Sequence, residues 1–142
     1  MDFGLTKEQK LLVERVELLV QERIAPRAAQ YDLTLEAPAE DIRDLHREGW
    51  LLANLKQKRG GLGYGLYGDD PPAFFLRDEY LAYGNPSTAH CFQVHNNALM
   101  MITQVGSEEQ VARWIEPTVS RGALLRVAAL NPMERRRTRQ RE

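Results

Sequence analysis

Breakers at short intervals constrain this chain more than any other feature. Ala25-Pro26, Gly49, Gly84-Asn85-Pro86, Gly106 and the pair Pro117 and Gly122 each interrupt an apolar pattern of helical period. Proline lacks the backbone donor and crowds the preceding turn, while glycine takes the left-handed position that closes a helix. Start signals fall between these stops. Thr6 with Gln9 and Ser107 with Gln110 form two capping boxes, in which hydroxyl and amide satisfy reciprocal backbone N–H groups. Pro38 suits the first turn of a second helix, Asp69 or Asp70 with Pro71 and Pro72 a third, and Ser87 or Thr88 the cap of a fourth.

The apolar residues follow the same division. Leu12, Val16, Leu19, Val20 and Ile24 form one stripe, and Ile42 with Leu45 forms another. Phe74, Phe75, Leu76, Tyr80, Leu81 and Tyr83 supply the bulk of the third helix. Phe92, Leu99, Met100, Ile102 and Val105 serve the fourth, and Val111, Trp114 and Ile115 the fifth. Only LLRVAAL, from Leu124 to Leu130, reads as a strand. The expected fold is all-α, an orthogonal helical bundle of about five helices with one short C-terminal strand-like segment.

One motif competes with that reading. GYGLYG, from Gly63 to Gly68, fits the glycine spacing of a dinucleotide-binding turn, and RGGLGYGLYGDD holds five of the ten glycines. That turn needs a strand before it, a helix after it, and then a second parallel strand with an acidic residue. Gln57, Lys58 and Arg59 separate the glycines from the apolar stretch at Trp50 to Leu55, and helices follow without a second strand. The spacing alone does not make a nucleotide cradle.

Length and composition narrow the class. The 142 residues suffice for one domain, and 43% hydrophobic with 27% charged residues is the balance of a soluble globular protein. No apolar run approaches the roughly 18 residues of a membrane span. The chain opens without a secretory signal, and the lone Cys91 allows no internal disulfide, so the expected compartment is cytoplasmic. The net charge of −1 conceals an asymmetry: ERRRTRQRE carries five arginines against two glutamates, which leaves residues 1–133 at −4. Such a tail can bind nucleic acid. With no basic or aromatic stripe elsewhere, it reads instead as a solvated end, and nucleic acid is not an expected partner.

The densest polar cluster is STAHCFQVHNN, from Ser87 to Asn97. Cys91 and His95 stand one turn apart, the spacing of a thiolate–imidazole pair or of two metal ligands. No third ligand or orienting group accompanies them, and a packed cysteine beside a hydrogen-bonded histidine is the favoured reading. No catalytic residue and no metal site is assigned. Ala89, Gln93 and Asn97 share one face at i, i+4 and i+8, a pattern that suits either a wet surface or a pocket wall with hydrogen-bonding capacity. Adjacent carboxylates such as Asp69/Asp70 and Asp78/Glu79 do not face one another on a helix and read as solvated charges or caps.

Read in order, MDFGLTKEQKLLVERVELLVQERIAPRAAQYD with its I-x-P break, LHREGW, the RGGLG loop, DEYLAYGNPSTA and VHNNALMMITQVGSEEQVARWIEPTVSRG resemble the N-terminal helical domain of the acyl-CoA dehydrogenases. The resemblance runs over about residues 1–132. It implies an FAD-dependent oxidoreductase that removes hydrogen across the Cα–Cβ bond of an acyl-CoA thioester and assembles as a homo-oligomer. It divides the chain into a helical domain at 1–125, a crossing toward a β-domain at 126–132 and a basic, disordered tail at 133–142. The family's base and its later domains have no counterpart here, so the expected protein is a truncated form that is not catalytic alone. By position, Ala128, Leu130 and Asn131 become the flavin-contacting residues, although the family's G-S-D is absent and Asn131 replaces a hydroxyl side chain. Ala89, His90, Gln93 and Asn97 become the lining of the acyl end of the substrate channel. A same-fold flavin monooxygenase and a stand-alone helical interaction module are the alternatives.

Overall fold

Helix α1 (Lys7–Leu19) begins at the expected box: the Thr6 hydroxyl accepts from the Gln9 N–H at 3.1 Å, and the Gln9 side chain accepts from the Thr6 N–H. In the computed structural model, which describes residues 4–126, α1 does not end at Ala25-Pro26, where the sequence allows either an end or a bend with a further helical turn over Arg27 to Tyr31. It passes through a π-turn, Val20–Ile24, and continues as α2 (Ala25–Thr34). The Ala25 N–H reaches back five residues to the Val20 carbonyl, and this wider turn absorbs the proline without breaking the rod. Leu12, Val16, Leu19, Val20 and Ile24 are all buried, so the apolar stripe of the first helix runs into the core as expected.

Helix α3 (Ala39–Arg47) starts from Pro38 and gives way at Gly49, which takes φ +75. Two 3-10 turns, Trp50–Leu52 and Gln57–Arg59, then lead into the glycine loop. Helix α4 (Pro71–Gly84) is capped by Asp70, whose carboxylate accepts from the Ala73 N–H at 3.3 Å. Helix α5 (Pro86–Val105) begins earlier than Ser87 or Thr88 would have started it. Its cap is Asn85, whose Oδ1 accepts from the N–H groups of both Ser87 and Thr88. Helix α6 (Glu108–Arg121) opens on the Ser107–Gln110 box and closes at Gly122 with φ +67; Pro117 lies inside it.

With α1, the π-turn and α2 counted as one rod, the described residues form five helical rods and no strand. Leu124 to Arg126 do not form the expected strand, and the rest of LLRVAAL lies outside the described residues. The core gathers α1, the π-turn, Leu45, Trp50, Leu51, Leu81 and Phe92 into one cluster. Not every residue assigned to it belongs there: Phe75, Tyr83, Val105 and Trp114 are exposed. Three of the four stand outside the face their helix turns inward, because a local apolar run does not say which side of the helix meets its neighbours.

Candidate functional site

Helix α5 is fixed at its N-terminal end by a buried ion cluster. Thr88 donates its hydroxyl to Asp41 at 2.6 Å, and Asn85 donates its amide to the same carboxylate at 3.4 Å. On the other oxygen, Arg27 pairs with Asp41 at 2.6 Å; it also reaches Asp44, which Arg47 and Arg23 approach from outside. Burial pushes the Asp41 carboxyl up, opposed by Thr88 and Arg27. Every one of its partners donates, so the ionised form is the one this shell fits. For Asp44 burial also works upward, but Arg27, Arg23 and Arg47 outweigh it and its carboxyl is held down. The sequence reading passed over both aspartates because it weighed adjacent carboxylates. The signal was the i, i+3 pair Asp41 and Asp44 beside Leu45, the buried side of α3.

On α5 itself the four candidate wall residues separate by burial. Ala89 packs against the core, Gln93 and Asn97 are half-buried, and His90 is exposed. Ala89, Gln93 and Asn97 keep their common flank, which borders the buried side carrying Phe92, His95 and Leu99 at Ala89 and turns away from it toward Asn97. Among the described residues neither the Gln93 nor the Asn97 side chain has a hydrogen-bond partner.

His95 belongs to a different arrangement from the one its spacing to Cys91 suggested. Its Nε2 lies 2.9 Å from the Leu51 carbonyl, and its Nδ1 accepts from the Leu125 N–H at 2.9 Å. Because an amide must donate, Nδ1 is the acceptor and Nε2 carries the proton, which it donates to Leu51. Both nitrogens are therefore engaged, and neither is free to activate the half-buried Cys91. Among the described residues no group of three or more His, Cys, Asp or Glu is arranged to hold a metal.

Burial holds His95 below its ordinary value of 6.5. The folded chain then binds fewer protons than the unfolded one as pH falls, so this stability is present above about 6.5 and is lost on acidification. Urea midpoints measured from pH 7.5 downward should fall once the pH passes below that value. A His95→Gln variant should lose this part of the slope; an unchanged slope would count against the neutral, doubly bonded imidazole.

The glycine loop is closed on itself. The N–H groups of Gly63, Tyr64 and Gly68 donate to Leu55, Ala53 and Gly65, and both Asp69 and Asp70 N–H groups donate to the Gly63 carbonyl. A Cβ at Gly65 would stand 2.6 Å from the Asn54 carbonyl, and Gly63 sits against the Asp69 carboxylate. The glycines serve close chain packing, with the amides turned inward beside an acidic side chain. This loop does not fit a pyrophosphate.

Arg77 is a third buried charge that the sequence did not announce. It is 0% exposed. Its Nε donates to Asp78 at 2.9 Å, its Nη1 donates to Asn54 Oδ1 at 3.0 Å, and its guanidinium lies over the rings of Phe92 and Phe74. Asn54 in turn donates its backbone N–H to Asn96 Oδ1, 3.1 Å away. Burial lowers the Arg77 guanidinium and raises the Asp78 carboxyl, as expected for charges short of water.

The expected flavin contacts Ala128, Leu130 and Asn131 lie outside the described residues. The described chain ends immediately before them, where the Leu125 bond to His95 holds the segment after α6 against α5.

Residues 6–122 match the family model described as acyl-CoA dehydrogenase, N-terminal domain. The chain is 26% identical over 118 residues to the short-chain specific acyl-CoA dehydrogenase of Clostridium acetobutylicum, covering 82% of this chain and 30% of that protein. It is 29% identical over 126 residues to the mitochondrial long-chain specific acyl-CoA dehydrogenase of Sus scrofa, covering 88% and 28%. Among solved structures, butyryl-CoA dehydrogenase from Megasphaera elsdenii superposes with a TM-score of 0.73 at 26% identity, over 87% of this chain and 32% of that one. An electron-transferring flavoprotein structure from Acidaminococcus fermentans gives 0.74 over the same share of each chain; at 19% identity it shows the shared fold alone. The chain spans less than a third of the length of these relatives.

Proposed function

Because the chain belongs to the family of acyl-CoA dehydrogenase N-terminal domains, we propose that it is the helical part of an FAD-dependent oxidoreductase acting on an acyl-CoA thioester. In this reading the flank of α5 carrying Ala89, His90, Gln93 and Asn97 meets the acyl group, and Ala128, Leu130 and Asn131 meet the flavin. FAD, when bound, supplies the two-electron acceptor. The observation that supports the reading is the Leu125–His95 bond, which brings the segment after α6 onto α5, the helix that carries the proposed wall, on its buried side. A buried amide facing an alkyl chain is costly, so Gln93 and Asn97 suit a short or polar acyl group over a long saturated one. The assembly is a homo-oligomer and its compartment the cytoplasm. Among the described residues no helix is long and apolar enough to cross a membrane.

Two measurements on the purified 142-residue chain test this together. Its visible spectrum should lack a stoichiometric flavin band and it should not turn over acyl-CoA, since the family's base and later domains have no counterpart in these residues. Side-chain amide resonances of Gln93 and Asn97 should move on addition of butyryl-CoA. Bound flavin with turnover would overturn the non-catalytic part, and amide signals unmoved at saturating ligand would remove the wall.

A flavin monooxygenase of the same fold is favoured by the same two unpartnered amides, which suit a polar substrate. A stand-alone interaction module is favoured by the exposed Leu33, Leu35, Tyr83 and Val105. It requires self-association, and a monomer at high concentration would count against it.

A further inference from the structure

Two histidines fasten the chain leaving α6, in chemically opposite ways. His46, half-buried in the last turn of α3, places its Nε2 3.0 Å from the Val119 carbonyl. A carbonyl only accepts, so this nitrogen donates, and it does so whether the ring is neutral or charged. The same ring backs onto Gly122, where a Cβ would stand 2.9 Å from it. Thr118 is buried and donates its hydroxyl to the Ala123 carbonyl at 2.9 Å, and the Ala123 N–H donates to the Pro117 carbonyl at 3.2 Å. The end of α6 is pinned as far as Ala123 by bonds that acid leaves intact.

Among the described residues, the chain beyond Ala123 makes one hydrogen bond, from the Leu125 N–H to His95 Nδ1. Here the histidine accepts. Its Nε2 is already committed to the Leu51 carbonyl, so an added proton can only go to Nδ1. That proton would set a donor against a donor on a side chain that is 0% exposed. The bond cannot survive it, and the Leu125 amide must turn away to let water reach the ring. Neighbouring ionisable groups offer no rescue. Asp41 and Asp44 of α3 are held by Arg27, near Thr88 and about two turns from His95. Arg77 and Asp78 of α4 pair with each other, and Glu116, Arg121 and Arg126 are exposed. The turn Trp50–Leu52 carries no ionisable side chain, and α5 itself brings only the Cys91 thiol one turn earlier. Burial, opposed by the Leu51 bond alone, keeps the closed imidazole neutral.

We propose that His95 is a proton-operated latch on the segment leaving α6, closed while Nδ1 accepts from Leu125 and open once Nδ1 carries a proton. Ala123 is the pivot, and the freed chain is the stretch that leads directly to Ala128. The latch stands on this geometry alone and holds whether or not that stretch meets a flavin. It is also reciprocal: whatever presses the segment onto α5 drives the proton off His95. The opened ring is wet and titrates near the ordinary value of about 6.5. About one pH unit below that, the opening equilibrium rises about tenfold, because only the open form takes the proton.

Amide hydrogen exchange of the full chain reads the latch at about pH 7.5 and about pH 5.5, each rate corrected for its intrinsic pH dependence. Leu125 should lose protection about tenfold between them, in step with protonation seen at the His95 ring nitrogens. Low urea should leave the Leu125 rate unchanged at both values, since a local opening exposes little surface. The amide of the buried Leu99 on α5 should respond to urea. In His95→Gln, whose side chain does not titrate, the fall should vanish, whereas His46→Gln, which keeps a donor, should retain it. Should His95→Gln fail to fold, the ring and amide signals of the parent decide alone. Equal Leu125 protection at both values, a Leu125 rate that follows urea as Leu99 does, or a fall that persists in folded His95→Gln would overturn the latch.

Discussion

Replacing Arg77 by alanine is expected to lower stability by about 3–5 kcal/mol, the range for breaking a buried ion pair by removing one partner. Three consequences add. Asp78 keeps a largely buried carboxylate without its cation, and Asn54 loses the donor that orients its amide. The faces of Phe74 and Phe92 lose the guanidinium packed on them. Against the 5–15 kcal/mol typical of a domain, a loss of about that size leaves a chain close to unfolding. The informative control is the double replacement Arg77→Met with Asp78→Leu, which removes both charges and keeps most of the volume. It should recover much of the loss, because the penalty lies in the stranded carboxylate more than in the absent attraction. Urea unfolding of the parent and the two variants decides the matter; an Arg77→Ala chain within about 1 kcal/mol of the parent would show that this buried pair is not the anchor its burial implies.

Phe92→Ala should cost a comparable amount, about 3–5 kcal/mol, for a different reason. Phe92 is fully buried at the centre of α5, within the cluster that joins α1, Trp50 and Leu81. Truncating it removes apolar burial and leaves a void that close-packed helices refill only in part. Phe92→Leu, which retains most of the volume, should lose far less. Because the ring centroid lies 4.8 Å from the Arg77 guanidinium, the two sites should couple in a double-mutant cycle by about 0.5–3 kcal/mol. Strict additivity would argue that the ring and the cation do not support one another.

Helix boundaries were legible wherever a local signal fixed them. Thr6 with Gln9, Ser107 with Gln110, and Asp70 before two prolines act within one turn, and each cap appears where its residues predict it. Ala25-Pro26, where the sequence allows either an end or a bend, is of another kind. A proline removes one donor, but whether a helix ends or widens depends on what the following residues gain by staying helical. Here they gain the contact of Arg27 with Asp41 and Asp44, which is tertiary and invisible to local pattern. Asn85 was overlooked because Asn-Pro reads first as a turn, although its side-chain oxygen is well placed to cap the helix that Pro86 opens.

The common flank of Ala89, Gln93 and Asn97 on α5 followed from spacing, whatever the fold; its reading as a substrate wall, His90 included, is what the family resemblance implies. The buried partners of α5 did not follow from spacing. Asp41 reaches Thr88 across 47 residues, and His95 receives an amide from a segment 30 residues away. The i, i+4 relation of Cys91 and His95 is real, yet the histidine is committed elsewhere because helix packing brings it two closer partners. Local spacing states which residues can meet; it does not state which meeting prevails.

The π-turn at Val20–Ile24 acts as a phase shifter. A turn closed by a five-residue reach holds about one residue more than an α-turn, so every side chain beyond it is rotated by about 100° relative to an uninterrupted helix. In a rod without the insertion, the direction now taken by Arg27 would fall to Pro26, a residue with no charge to offer. The ion cluster beneath the start of α5 is therefore a matter of angular register: one surplus residue near position 22 determines which side chain faces the aspartates some twenty positions later.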